Sequence, residues 1–152
     1  MKHLFSAVVI SLSVFTASFT PIQAAASEQI KKELMAYNDN YNDLVANYDL
    51  EAFVGLYNES PLWIAPSVAV VAGLDVPRNT FQFITEKKGL LTHTFDHFYA
   101  SDDGTQAVMI GQYDVNIEAV GKKATGTYLF VLEKDEGNWK IVVDMFNEHA
   151  QL

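Results

Sequence analysis

Two histidines with an aspartate between them, His93, Asp96 and His97, are the first residues whose types could hold a metal ion. A His-x-x-x-His pair chelates when its segment is helical, because positions four apart then share one face a single turn apart. The flanking residues Leu91, Thr92, Phe95, Phe98 and Tyr99 are of strand type. On a strand, residues four apart stand about 13 Å from each other at roughly 3.3 Å per residue, too far to share one ion. No metal is expected. The acidic turns Asp102-Asp103 and Asp135-Glu136 lack the ligand spacing of a calcium loop. Covalent catalysis finds no nucleophile, since the chain has no cysteine, no Gly-x-Ser-x-Gly elbow and no glycine-rich phosphate loop. No cofactor is expected either. What remains is a set of side chains that hold or move protons. Tyr41 can be a hydrogen-bond donor in a pocket, or one of a stripe with Tyr37 and Tyr48 that packs a helix onto a sheet. Asp144 is a carboxylate set between Val142 and Phe146.

The ends and the charge bound the setting in which such residues act. Residues 1–26 read as a signal peptide: Lys2 gives a short positive region, an apolar stretch follows over residues 4–19, and Ala24, Ala25 and Ala26 suit a signal peptidase. The stretch is short for a membrane span and carries five hydroxyl residues, Ser6, Ser11, Ser13, Thr16 and Ser18. Cleavage near Ala26 and Ser27 is expected, leaving one domain over residues 27–152 in the periplasm or outside the cell. With no cysteine, no disulfide can brace it there, and packing must supply the stability. The full chain has a net charge of −9, and loss of Lys2 takes it to −10. Basic residues cluster only in the pairs Lys31-Lys32, Lys87-Lys88 and Lys122-Lys123, so nucleic acid and anionic membrane surfaces are excluded as partners after cleavage.

The elements that position the chemistry follow from periodicity. Ile30, Leu34, Tyr37, Tyr41, Leu44 and Tyr48 recur at steps of three and four, which predicts a helix over residues 27–47 with Ser27 as its N-cap. Asp49 caps a second short helix through Leu50, Phe53, Leu56 and Tyr57, stopped by Ser60-Pro61. Residues 62–64 and 68–72 suit a short hairpin around Ala65-Pro66-Ser67. A third helix starts at Asp75, with Pro77 in its first turn, and ends at Gly89. Strand-type segments follow at about 91–100, 106–118, 124–134 and 138–148, separated by glycine-bearing turns. Helices first and an antiparallel meander afterwards give an α+β domain with the helices on one sheet face. The last two strands are apolar on both sides, since Trp139, Ile141, Val143 and Met145 alternate with Val142 and Phe146. A second apolar face calls for a partner, most simply a homodimer through the outer sheet face.

The element order, the phrase Tyr48-Asp49-Leu50-Glu51-Ala52-Phe53 ahead of Leu56-Tyr57, and the ending Gly137-Asn138-Trp139-Lys140-Ile141-Val142-Val143-Asp144 resemble the SnoaL-like and ketosteroid-isomerase-like branch of the nuclear-transport-factor-2-like superfamily. The resemblance implies a cone-shaped fold, with N-terminal helices packed on a strongly bent antiparallel sheet around one pocket, and frequent dimers. The isomerase's helix tyrosine falls on Tyr41. Its general base, the aspartate before a proline, falls on Ala65 ahead of Pro66, and its second aspartate falls on Phe130. Ketosteroid isomerisation by that mechanism is therefore not expected. Matching the strands to the isomerase turns Val108, Ile110, Gln112 and Asp114 inward, beside Tyr128, Phe130 and Leu132, with Asp144, Phe146 and Glu148 on the last strand. Asp144 would then be partly desolvated and raised toward the range of a base, with Tyr41 beside it as the second catalytic candidate. Tyr57 and Trp63 would form apolar wall at the mouth. The expected function is an exported, non-catalytic domain binding a small apolar molecule; the alternative is an isomerase or lyase using a pocket carboxylate and Tyr41.

Overall fold

A computed structural model describes residues 21–150. The elements are α1 (Pro21–Ala46), α2 (Leu50–Val54), β1 (Tyr57–Ile64), β2 (Val71–Ala72), α3 (Asp75–Glu86), β3 (Leu90–His93), β4 (His97–Ala100), β5 (Gln106–Ile117), a 3-10 turn (Glu118–Val120), β6 (Lys122–Asp135) and β7 (Asn138–Glu148). Most of the segment read as a signal peptide, residues 1–20, lies outside the described residues. The junction at Ala26 and Ser27 lies within α1, so Ser27 is not the N-cap that its sequence context predicts. No helix among the described residues is long and apolar enough to cross a membrane.

The three helices pack on one mixed sheet of seven strands, in the order β2-β1-β7-β6-β5-β3 with β4 also paired to β5. This is a cone-shaped α+β fold. Ile30, Leu34, Tyr37, Tyr41 and Val45 of α1 are buried along the helical stripe and lie on the inner sheet face with Met109, Tyr128, Phe130, Leu132 and Ile141. Each fully buried side chain of this size contributes roughly 1.5–3 kcal/mol, so the stripe fixes where α1 lies. Phe81 of α3 stacks on Phe53 of α2 at 4.0 Å, which ties the short helices together.

Four expectations are corrected. The second helix ends at Gly55, and Tyr57 through Pro61 form strand, because Asp49 caps only one short turn through its Oδ1 bond from the Ala52 amide. The segment 91–100 is two strands, broken at Thr94-Phe95-Asp96 where the sheet bends. That bend needs Gly111, since a Cβ there would stand 2.0 Å from the Thr94 carbonyl oxygen. The sheet is not wholly antiparallel, because β1 returns from the helices to run parallel to β7, with Trp63 beside Asp144. The β5 face is also reversed relative to the strand matching: Ala107, Met109, Gly111, Tyr113 and Ile117 point inward, while Val108, Ile110, Gln112 and Asp114 point outward.

One irregularity on β7 controls the site. Leu132 pairs with Ile141 and Val131 with Val143, so Val142 is an extra residue in the strand, a β-bulge. Trp139 and Ile141 before the bulge, and Asp144 after it, are buried on the same inner face although their numbers differ in parity. Outside, Val108, Val131 and Val143 stand in one cross-strand row and Ile110, Leu129 and Met145 in the next.

Candidate binding cavity

A cavity of about 310 Å³ opens between α1, α3 and the inner face of the sheet, walled by Tyr41, Trp63, Tyr113, Tyr128 and Phe146, with Ile84, Leu91, Val115 and Ile117 completing its apolar surface. Thr80, Phe83, Lys122 and Glu148 are its exposed members and mark the mouth. There Lys122 Nζ and Glu148 Oε2 form an ion pair at 3.3 Å. Phe146 meets both Trp63 and Tyr113 edge-on, at 5.5 and 5.9 Å between ring centres.

Two buried polar side chains face this apolar enclosure. Asp144 is 4% exposed, and the Tyr57 hydroxyl donates to its Oδ2 at 2.7 Å. No basic side chain forms an ion pair with it among the described residues. Burial raises its pKa to about 7, and the Tyr57 hydrogen bond, which favours the charged form, only partly opposes this. His93 is the second group. Its ring is stacked between Tyr41 at 4.3 Å and Tyr128 at 4.2 Å, and burial lowers its pKa to about 3, so it is neutral. Its Nδ1 is buried without a hydrogen-bond partner among the described residues. The backbone around it is held firmly: its amide donates to Asn42 Oδ1 at 2.8 Å, and its carbonyl accepts from Asn42 and Asn38 at 2.9 and 3.2 Å. The Tyr128 hydroxyl donates to the Thr94 carbonyl at 2.6 Å, which anchors the broken strand above the cavity. Burial first, and the Asp144 charge second, hold the Tyr41 and Tyr57 hydroxyls well above the ordinary tyrosine range.

The structure places Tyr41, Trp63, Tyr128, Asp144 and Phe146 on the cavity wall. Tyr57 sits behind Asp144 rather than on the wall, and Phe130 packs beneath Tyr41 and Tyr128 in the core, so neither lines the space. Ile110, Gln112 and Asp114 are excluded because β5 presents its other face; Asp114 instead borders a polar surface hollow with Asn116 and His149. His93 and His97 do not share a face as one continuous strand would require. The break at Thr94–Asp96 turns His93 inward and leaves His97 exposed opposite Ile110. As cavity residues, His93, Tyr113 and the α3 residues Thr80, Phe83 and Ile84 were not expected from the sequence, which offered His93 only as half of a metal pair. The alternation Gly111, Tyr113, Val115, Ile117 against Gln112, Asp114 and Asn116 was a usable signal for the first strand face.

No family model matches the sequence, and no curated protein matches it either. Solved structures do. A Xanthomonas campestris protein described as a calcium/calmodulin-dependent protein kinase II association domain superposes with a TM-score of 0.66 at 25% identity, over 79% of this chain and 88% of that one. A Streptomyces avermitilis protein described as a dehydratase of the nuclear-transport-factor-2-like family gives 0.63 at 10% identity, over 82% and 99%. The fold is nuclear-transport-factor-2-like. A ketosteroid-isomerase-like protein from Erwinia carotovora atroseptica shares this fold at a TM-score of 0.60 and 14% identity, over 87% of this chain and all of that one. The nuclear-transport-factor-2-like cone thus carries several described roles, and the site must argue for itself.

Proposed function

We propose that the protein is an exported binding domain of the SnoaL-like kind, which takes a small, largely apolar molecule into the cavity between α1, α3 and the sheet. The observation that carries this reading is the pairing of an apolar, aromatic-walled space with one buried carboxylate, Asp144, as its polar anchor. The signal-like residues 1–26 support a periplasmic or secreted location. The aliphatic rows on the outer sheet face support a homodimer formed there, since two copies would cover uncharged surface with like surface. A neutral environment-sensitive dye tests the cavity. Wild-type protein should bind N-phenyl-1-naphthylamine with a rise in emission, and Ala124→Trp, which fills the space from β6, should lose it. Equal binding by both proteins would refute the reading.

A second reading has a specific observation in its favour. A carboxylate raised to about 7 in a largely apolar site can exchange a proton with a bound substrate at neutral pH, which suits an isomerase or lyase with Tyr41 as a neighbouring donor. Under that reading Asp144→Asn abolishes turnover of a bound compound while its binding persists; under binding alone no turnover exists to lose.

A further inference from the structure

The charged groups facing the cavity are unbalanced. Asp144 lies inside with no cation opposed to it among the described residues, and the one lysine on the wall, Lys122, is already paired with Glu148 at the mouth. Burying a carboxylate beside a single hydroxyl donor is costly unless a partner completes its environment. Nothing on the cavity wall supplies that partner, which leaves a proton or a bound cation to complete it. The walls add a second preference: Tyr41, Trp63, Tyr113, Tyr128 and Phe146 bring aromatic rings around the carboxylate, and aromatic rings attract cations. The chain's net charge of −9 draws positive ligands toward the mouth and repels anions.

We propose that the ligand is a small apolar amine, held as its ammonium form against the Asp144 carboxylate and enclosed by the aromatic walls. The inference rests on the cavity being a binding site. The space, about the volume of ten waters, suits an amine carried on one aromatic or branched aliphatic group. Ammonium binding needs the ionised carboxylate, so affinity rises with pH until Asp144 has lost its proton and then levels. A neutral ligand that accepts a hydrogen bond from protonated Asp144 would show the reverse. Other titratable groups on the surrounding elements do not carry this dependence. Tyr37 and Tyr41 of α1, Tyr57 of β1, Tyr113 of β5 and Tyr128 of β6 are all raised and stay neutral; His93 of β3 is depressed and stays neutral. Lys122 and Glu148 stand at the mouth as a pair.

The test displaces N-phenyl-1-naphthylamine from the full chain with 2-phenylethylamine and with 2-phenylethanol, which share a skeleton and differ in charge. At about pH 8 the amine should compete at least about tenfold better, and its advantage should shrink by about tenfold per pH unit below 7. Asp144→Asn keeps the shape of the side chain and can still accept from Tyr57; in it the ratio of amine to alcohol affinity should fall to about one at every pH. If wild type binds the dye but amine and alcohol displace it equally, or the alcohol wins, the amine assignment is overturned and the cavity stands. If the dye does not bind, or binds Ala124→Trp as well as wild type, the cavity reading itself fails.

Discussion

Asp144 and His93 are buried by the same walls, and burial drives them in opposite directions, Asp144 up to about 7 and His93 down to about 3. Between its unfolded value near 3.8 and about 7, Asp144 keeps a proton in the folded chain that the unfolded chain has released, so stability falls as pH rises. Between about 3 and its unfolded value near 6.5, His93 lacks a proton in the folded chain that the unfolded chain has bound, so stability falls as pH drops. A one-proton difference is worth about 1.4 kcal/mol per pH unit. Over the shared interval from about pH 4 to 6.5, each group therefore contributes about 3 kcal/mol of change, with opposite sign, and the two cancel. Removing either exposes the other. His93→Phe keeps a flat ring between Tyr41 and Tyr128, and its stability should fall by about 3 kcal/mol from pH 4 to 6.5 relative to wild type. Asp144→Asn should gain about as much over the same range. The assay is urea unfolding at half-unit pH steps and fixed protein concentration, read as variant minus wild type so that all other groups drop out. Two flat difference curves would mean that neither group is desolvated as described, and the electrostatic account of the cavity would be wrong.

Three other outcomes follow from the same geometry. Tyr57→Phe removes the hydrogen bond to Asp144 Oδ2, so it should cost about 1.5–3 kcal/mol at pH 8, where the carboxylate is charged, and less at pH 5, as equilibrium unfolding at the two pH values would show. Gly111→Ala forces a methyl group against the Thr94 carbonyl in the bend between β3 and β4, and should destabilise by about 2–4 kcal/mol in the same assay. Leu129→Glu places a charge in the middle of the outer aliphatic rows, and should convert a dimer to a monomer in sedimentation analysis with the circular dichroism spectrum retained.

The helical stripe from Ile30 to Tyr41 and the glycine-marked turns after Gly89 were legible because period and turn chemistry are local. The inward position of Asp144 and Phe146 came from the resemblance, and the strand carries both. The β5 face was misread because strand matching at low similarity slips by one residue without penalty, and one residue reverses every side chain. The place of His93 in the cavity was missed for a different reason. Its role depends on a break at Thr94–Asp96 that sends its ring between two tyrosines from distant elements, α1 and β6, and no neighbouring residue announces that contact. The parallel pairing of β1 with β7 is equally non-local, since it joins the ends of the helical half and the sheet half.

The extra residue at Val142 works as a phase shifter. Before it, β7 spends Trp139 and Ile141 on the solid interior; after it, the same strand hands Asp144 and Phe146 to the hollow. Deleting Val142 would straighten the strand and leave Ile141 and Asp144 inward with Val143 between them outward; a strand that kept Val142 in regular alternation would instead send the carboxylate outward and turn Val143 and Met145 into the interior. A relative whose last strand lacks the extra residue therefore needs a gap of one residue at that spot for its inward positions to align with these, and an alignment without the gap would pair an inward carboxylate with an outward neighbour.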